Sequence, residues 1–570
     1  MLQNGLLRIL AFSLATIMLL AAVGCNKVYN IADDDMERPW GEKNSSNNKD
    51  SSSDQASDRP ADSGNDDEEG GSSDIEFEDE SDISQTDDTD EGQNGEDSGY
   101  GEDNKESEDN KESENSTDEG NNGEAPDFEG ESIAIILRDS AQASREWYKD
   151  TPEDELDEII AYRNSYVANE LNLNVHYAPI PDRGYDAFTA QFNAELINDV
   201  ASDIHQYDIA ATFAYSGAYT EVRDIAANLL DEESFPYFDF NLPCWNRSIV
   251  ENTAINGRLH YVTGALNLSS TDSAMLIWYN QDLYSEERSE EDPEDLMQYA
   301  LDGNWTFSDF YRIAAAASSD DDGIYGIDGC AYKTPNPCDL LPIAWEIDLV
   351  VENQDGTHSF NIENNSKISN ALECYRALIS LDLSSGNDTA NFTNGQCVFQ
   401  VGSFYTSAGA DMMLREMGAA HSFLPWPKYD EAQAEYHTTS QDYHTLITVL
   451  DHSKSSFKTR GDAVSAYLQF SQEYSHIAIS PIYKTHRVTK SSNLPDHEKV
   501  GKMFDMIVDS ITYDFRTIYS PQLNNITWLW RDNMKSADDI LNKYLNSVDT
   551  YTQAIRGTDA WLGLINTQTE

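Results

Sequence analysis

Ser132-Ile133-Ala134-Ile135-Ile136-Leu137, together with the segments that follow it as far as Ala211, decides the fold. The six residues form an apolar run of the length and type expected of a buried strand. From about Pro152 to Leu171 apolar and aromatic side chains return at Leu156, Ile159, Ile160, Tyr162, Tyr166 and Val167, close to helical spacing. Leu173 to Ile180 reads as a second strand, Tyr185 to Asn198 as a second helix, and Tyr207-Asp208-Ile209-Ala210-Ala211 as a third, short strand. This alternation predicts an α/β protein in which a parallel sheet is wound with helices. Ligands of such sheets sit beyond the carboxyl ends of the strands, so Thr212 to Tyr219 becomes a candidate binding loop.

Further along lie Gly257-Arg258-Leu259-His260-Tyr261-Val262 and Met275-Leu276-Ile277-Trp278-Tyr279-Asn280-Gln281-Asp282-Leu283-Tyr284. Asn304-Trp305-Thr306-Phe307-Ser308-Asp309-Phe310 reads as a helix start, with Thr306 as cap and Asp309 returning to it in a capping box. Gly395-Gln396-Cys397-Val398-Phe399-Gln400-Val401-Gly402-Ser403, then Leu424-Pro425-Trp426-Pro427-Lys428 and Thr439 to Val449, complete the series. In order and spacing, roughly from residue 132 to 545, these segments resemble family 1 extracellular solute-binding proteins of the maltose-binding class.

The resemblance implies a two-lobed, periplasmic-binding-protein-like α/β fold. Two or three hinge strands would join the lobes, which close around one solute and deliver it to an ATP-driven (ABC) permease. Lobe 1 is expected at about 131–270 and 440–480, lobe 2 at about 275–436 and 481–570. Contacts made by both lobes exist only in the closed state and so supply the differential affinity that drives closure. The resemblance also implies a monomer, and a binding module in place of an enzyme.

The amino-terminal part reads separately. Residues 1–24 have a weakly basic start at Arg8, an apolar run from Ile9 to Val23, and small residues before Cys25, as in a secretory signal. Ala22-Val23-Gly24-Cys25 resembles a bacterial lipobox, so Cys25 is the expected site of lipidation, anchoring the chain outside the cell membrane. Several acyl chains hold a protein at a bilayer more stably than one does. Residues 26–130 contain 37 acidic and 7 basic side chains and almost no aliphatic ones. They include the imperfect repeat Asp103-Asn104-Lys105-Glu106-Ser107-Glu108 and Asp109-Asn110-Lys111-Glu112-Ser113-Glu114. Too little apolar area offsets the chain entropy, so residues 25–130 are expected to be a disordered acidic tether. The formal charge of −68 over 570 residues excludes a nucleic-acid surface, which needs clustered Lys and Arg.

The chain carries 30 Tyr, 20 Phe and 10 Trp, and flat aromatic faces are what sugar rings stack on. A carbohydrate is therefore the expected solute, with a cationic solute such as a polyamine or basic peptide as the alternative that the acidic body suggests. Candidate contacts are Tyr215 and Tyr219 after the third strand, Asn267 before the first crossing strand, and Trp345 with Glu346 in the second lobe. Tyr405 follows Gly402-Ser403-Phe404, where the family presents a cleft aromatic. Asp442 and Tyr443 lie near the second crossover, and Trp528 and Trp530 in the late region.

Other signals carry less. Ser318-Ser319-Asp320-Asp321-Asp322-Gly323 begins like a calcium loop, but its twelfth place is Gly329 where a bidentate Glu is needed. His437, His444 and His452 lack zinc-site spacing. No cofactor motif and no nucleophile elbow are present, and carboxylate pairs in so acidic a chain say nothing about a glycosidase. Of the five cysteines after Cys25, Cys330 and Cys338 bracket a proline-containing loop and are the readiest to bridge. A sensory or adhesive surface lipoprotein on the same fold is the competing function.

Overall fold

The computed structural model describes residues 125–565, except 140–142, 149–150, 182–184, 202–204, 215–224, 319–322, 330–338, 362–365, 382–389, 405–413, 415–416, 442–443, 453–459 and 529–544. Cys25, the acidic tether up to residue 124, Tyr215, Tyr219, Tyr405, Asp442, Tyr443, Trp530 and the Cys330–Cys338 pair lie outside the described residues.

The first sheet grows from β1 (Glu131–Asp139), whose Ile133, Ile135, Ile136 and Leu137 have no solvent exposure. Burial on both faces is what a central parallel strand requires, and it explains an apolar run without alternation. A short helix α1 (Ala143–Trp147) follows, then α2 (Glu155–Glu170), capped by Asp154, whose side chain accepts from the Asp157 amide. Strand β2 (Leu173–Pro181) pairs parallel to β1 from Glu131↔Leu173 to Asp139↔Pro181. After α3 (Tyr185–Ala201), β3 (Ile209–Phe213) pairs parallel to the other edge of β1, with Ile135 opposite Ile209. The predicted order of strands and helices is thus present, with boundaries shifted by a few residues.

The chain then leaves this sheet. Helix α4 (Leu268–Asp272) leads into β4 (Met275–Asn280), all six of whose residues are buried. Helix α5 (Phe307–Ala317) begins with the expected Thr306–Asp309 capping box. Strand β5 (Tyr325–Asp328), the small hairpin β6 (Val350–Glu352) and β7 (His358–Phe360), β8 (Cys397–Ser403) and β9 (His421–Leu424) follow. The second sheet has the order β5-β8-β4-β9, antiparallel at β4–β8 and β4–β9 and parallel at β5–β8. Strand β10 (Thr445–Val449) returns to the first sheet, antiparallel to β3, giving the order β10-β3-β1-β2.

The second sheet is packed largely with aromatic rings. Trp305 meets Phe310 edge-on with centroids 5.7 Å apart, and Phe310 meets Phe399 at 5.1 Å and Trp426 at 5.9 Å. Six of the ten tryptophans, Trp147, Trp245, Trp278, Trp305, Trp345 and Trp426, are buried. Much of the aromatic content read above as sugar-stacking capacity is therefore core packing.

After β10, α6 (Gly461–Tyr474) packs over β1 and α2, passes through a π-helical turn at Ser475–Ile479, and continues as α7 (Ser480–Ser491). Pro481, at the start of α7, has no N–H to give the regular ladder, and the wider π turn directly precedes it. Helix α8 (His497–Asp509) packs against α7 and β9, and α9 (Val548–Trp561) against β7. His358 holds that last contact: its ring nitrogen is 2.7 Å from Asp559 and its ring stacks on Phe515 at 3.9 Å. One close approach fixes the route out of the first sheet. A Cβ on Gly264 would lie 2.2 Å from the Cys244 carbonyl oxygen, so only glycine fits.

Candidate ligand cleft

Three segments run between the two sheets and are hydrogen-bonded side by side. The first, 267–275, meets the second, 438–445, where the Met275 amide donates to Thr439 O at 3.2 Å and the Gln441 amide to Ser273 O at 3.0 Å. The third, 510–515, joins the second through the Thr438 amide to Ser510 O at 3.0 Å and the Thr512 amide to Thr438 O at 2.9 Å. Each contributes one hydroxyl to a common junction. Ser270 Oγ lies 2.6 Å from the Tyr513 hydroxyl, and the Ser440 hydroxyl donates to Ser270 O. Burial pushes the Tyr513 phenol up to about 12, so it stays protonated and can donate at any physiological pH.

The junction lies at the carboxyl edge of both sheets. In the first, β1 and β3 end here and antiparallel β10 begins; Ala214, just past β3, donates its amide to His444 O at 2.9 Å. In the second, the end of β8 at Ser403 pairs with the start of β4 at Met275. This is the edge at which open α/β sheets bind ligands.

Glu146 of α1 is buried at the same place. Its Oε2 accepts from the Ser269 amide at 2.8 Å, beside the hydroxyl of Thr445, which is itself bonded to Ser269 Oγ at 3.2 Å. Burial pushes the carboxyl up to about 7, against the opposing hydrogen bonds from Thr445, Ser269 and the Asn267 side chain. Arg163 of α2 lies nearby but spends its N–H groups elsewhere: on the carbonyl of Glu146 at 2.7 Å, Asn164 Oδ1 and Ser475 Oγ. Its charge therefore reaches the carboxyl without a hydrogen bond among the described residues.

His444 sits against the Tyr513 ring, centroids 5.0 Å apart, and its Nδ1 donates to Gln441 O at 2.6 Å. Burial pushes this imidazole down to about 4. It is neutral, with the proton on Nδ1, and its Nε2 is an acceptor. At hydrogen-bond geometry His444 Nε2, Glu146 Oε1 and both amide atoms of Asn267 have no partner among the described residues. Each such atom costs about 1–3 kcal/mol when left dry, and the Asn267 side chain lies near enough to Glu146 to act on its carboxyl.

A buried ion pair flanks this cluster. Arg487 of α7 reaches Asp272 at the end of α4 at 2.5 Å, and the Tyr483 hydroxyl donates to the same carboxylate. The first crossing segment is thereby tied to the helix that leads away from the π turn.

The candidate residues separate clearly. Asn267 lies in the cluster, as the N-cap of α4 with no capping hydrogen bond of its own. Trp345 belongs to the core: its Nε1 donates to Pro427 O at 3.1 Å, and Phe307 and Tyr429 pack edge-to-face against it at 5.1 and 5.6 Å. No ring face remains for a ligand, because a tryptophan following a buried helical turn is drawn into the apolar layer beside it. Glu346 is half-exposed with a left-handed backbone, φ 51°, and approaches His437 Nε2 at 3.3 Å. Trp528 is half-buried in a short 3-10 helix, Ile526–Trp528. His437, His444 and His452 have separate partners, and no group of three metal-ligating side chains occurs among the described residues. Cys244 and Cys374 are free thiols.

Sequence reasoning passed over Glu146, Ser269, Ser270 and Tyr513, and weighed His444 only as a metal ligand. The available signal for Glu146 was its place, an acid in the first helix after the first parallel strand.

A parallel-cored first sheet, a mixed second sheet and three adjoining crossing segments give the two-lobed α/β fold of solute-binding proteins. One solved structure bears out this fold: the sugar-binding protein MalE from Xanthomonas citri superposes with a TM-score of 0.52 at 10% identity, over 76% of this chain and 100% of that one. A sugar transporter protein from Rhizobium etli in an open conformation gives 0.48 at 13% identity, over 75% and 99%. The cyclic α-maltosyl-1,6-maltose binding protein from Arthrobacter globiformis gives 0.47 at 13%, over 76% and 99%. No protein-family model matches the sequence, and no curated protein is similar to it.

Proposed function

We propose that this chain is the solute receptor of an ATP-driven importer, holding a neutral sugar or oligosaccharide between two lobes and passing it to a membrane permease. On this reading the lobes divide at about 131–270 with 440–480 and 275–436 with 481–570. Cys25 carries the lipid that anchors the receptor outside the cell membrane, and the acidic segment spaces the body from it. The receptor binds and releases; it has no turnover of its own.

The observation that carries the proposal is the uncharged polar cluster at the junction of the crossing segments. Glu146 protonated below about pH 7, neutral His444, the Asn267 amide and the Tyr513 hydroxyl suit hydroxyl groups better than a cation, which would favour a standing carboxylate. The fold shared with the Xanthomonas citri sugar-binding protein supports the same reading. A thermal-shift panel of maltose, maltotriose, a cyclic glucan, spermidine and a basic peptide tests it. A captured sugar at 100 times its Kd stabilises the fold by about 2.7 kcal/mol. Stabilisation by spermidine or peptide alone, or by nothing in the panel, refutes the sugar reading.

A further inference from the structure

Three side chains of the cluster come from different elements and leave complementary atoms open. Glu146 projects from α1, Asn267 stands just before α4, and His444 precedes β10. Ser269 and Thr445 join them: Ser269 donates its amide to Glu146, and Thr445 donates its amide to Ser269 Oγ at 3.0 Å, one residue from His444. The three are no more than 2% exposed, and the open atoms are Glu146 Oε1, the Asn267 amide and His444 Nε2.

The chemistry of the open atoms is determined by their bonded partners. Glu146 Oε2 already accepts an N–H, so a proton on the carboxyl sits on Oε1 and makes it a donor. His444 Nδ1 donates to Gln441 O, so Nε2 accepts only. A donor and a fixed acceptor, both dry, match a group that accepts and donates at once. A hydroxyl does both; an ammonium cannot accept, and a carboxylate cannot donate.

We propose that Glu146, Asn267 and His444 form a subsite for a single hydroxyl group of the bound solute, with Glu146 donating to it and His444 accepting from it. The subsite rests on the receptor reading above and specifies the ligand chemistry at one point of its cleft. It also makes binding proton-linked, because ionised Glu146 has lost its donor. The charged and titratable groups that act on Glu146 are Arg163 from α2 and Tyr513 from the third crossing segment, and His444 from the second packs against the Tyr513 ring. Arg145, its neighbour on α1, is held by Asp154 and Asp157. Asp272 of α4 is held by Arg487. His444 and Tyr513 do not change state between pH 6 and 8.5, since they lie near 4 and 12. Glu146, near 7, does.

The test uses the full mature chain with maltotriose as probe, by calorimetry at pH 6, 7 and 8.5 and by crystallography with and without the sugar. If only the protonated form binds, affinity falls about 30-fold from pH 6 to pH 8.5. Glu146→Gln keeps a donor that cannot ionise and flattens this profile. Glu146→Leu and His444→Phe weaken binding at least tenfold at pH 6, and a circular-dichroism melt without sugar confirms that each variant folds. A sugar hydroxyl between Glu146 Oε1 and His444 Nε2 in the complex supports the subsite. A water kept there in the complex, a direct Glu146–Asn267 bond with the space closed, or a flat wild-type profile overturns it. If maltotriose does not bind, the sugar reading fails for this probe and the sugar-free crystal decides the subsite: a bridging water supports hydroxyl chemistry, a closed Glu146–Asn267 bond refutes it.

Discussion

Replacing Glu146 by glutamine should make the protein more stable at pH 8 and leave it nearly unchanged at pH 4.5. In the unfolded chain the carboxyl titrates at its ordinary value near 4.5, whereas burial in the fold raises it to about 7. Between these values the native state holds a proton that the unfolded state has lost. The stabilisation is fully present below 4.5 and is lost as pH rises through 7. A separation of about 2.5 units corresponds to about 3 kcal/mol, the cost at pH 8 of keeping a carboxylate where only a neutral acid is well accommodated. Glutamine has the shape of the protonated acid, still accepts from the Ser269 amide, and cannot ionise. Unfolding free energies of the wild type and Glu146→Gln, from urea titrations at pH 4.5 to 8.5, should diverge by about 3 kcal/mol over that window. The many other carboxylates are common to both proteins and cancel in the difference. A constant offset at every pH, or a variant less stable at pH 8, would refute the argument that Glu146 is held neutral.

Asp272→Ala takes the carboxylate from the Arg487 guanidinium in a nearly dry site, leaving its bond to the Tyr483 hydroxyl, and should cost about 3 kcal/mol in urea denaturation. Trp345→Ala should lower stability by about 3–5 kcal/mol through the cavity left between Phe307 and Tyr429. Equilibrium unfolding checks this, and a variant of wild-type stability with lost sugar binding would place the residue in the cleft instead. Tyr513→Phe removes the hydroxyl that meets Ser270 and should cost about 1 kcal/mol, read from the same unfolding curves. Cys25→Ser should move the protein from the membrane to the soluble fraction in cell fractionation; retention on the membrane would show a different anchor.

The strand and helix order from Ser132 to Ala211 was legible because burial on both faces demands a continuous apolar run in β1, and a covering helix demands a 3.6-residue period in α2. Thr306 and Asp309 were legible for a similar reason, since a capping box is a contact between residues three apart. The cleft was not legible in this way. Trp345 looked like a ligand contact because a sequence shows that a ring is present but not which faces it has spent. Glu146 looked like one acid among 104.

By itself the sequence determined the division into an apolar head, an acidic stretch and an α/β body, because these follow from composition and from periodicities of a few residues. It also determined the alternation of β1, β2 and β3 with helices. The tertiary structure alone decided which polar groups are dry. Glu146, Asn267 and His444 are separated by more than a hundred residues each, and only the return of β10 beside β3 places all three at one edge. Desolvation depends on everything packed around a group, so the charge state of a carboxyl and the open nitrogen of an imidazole cannot be read from their neighbours in the chain.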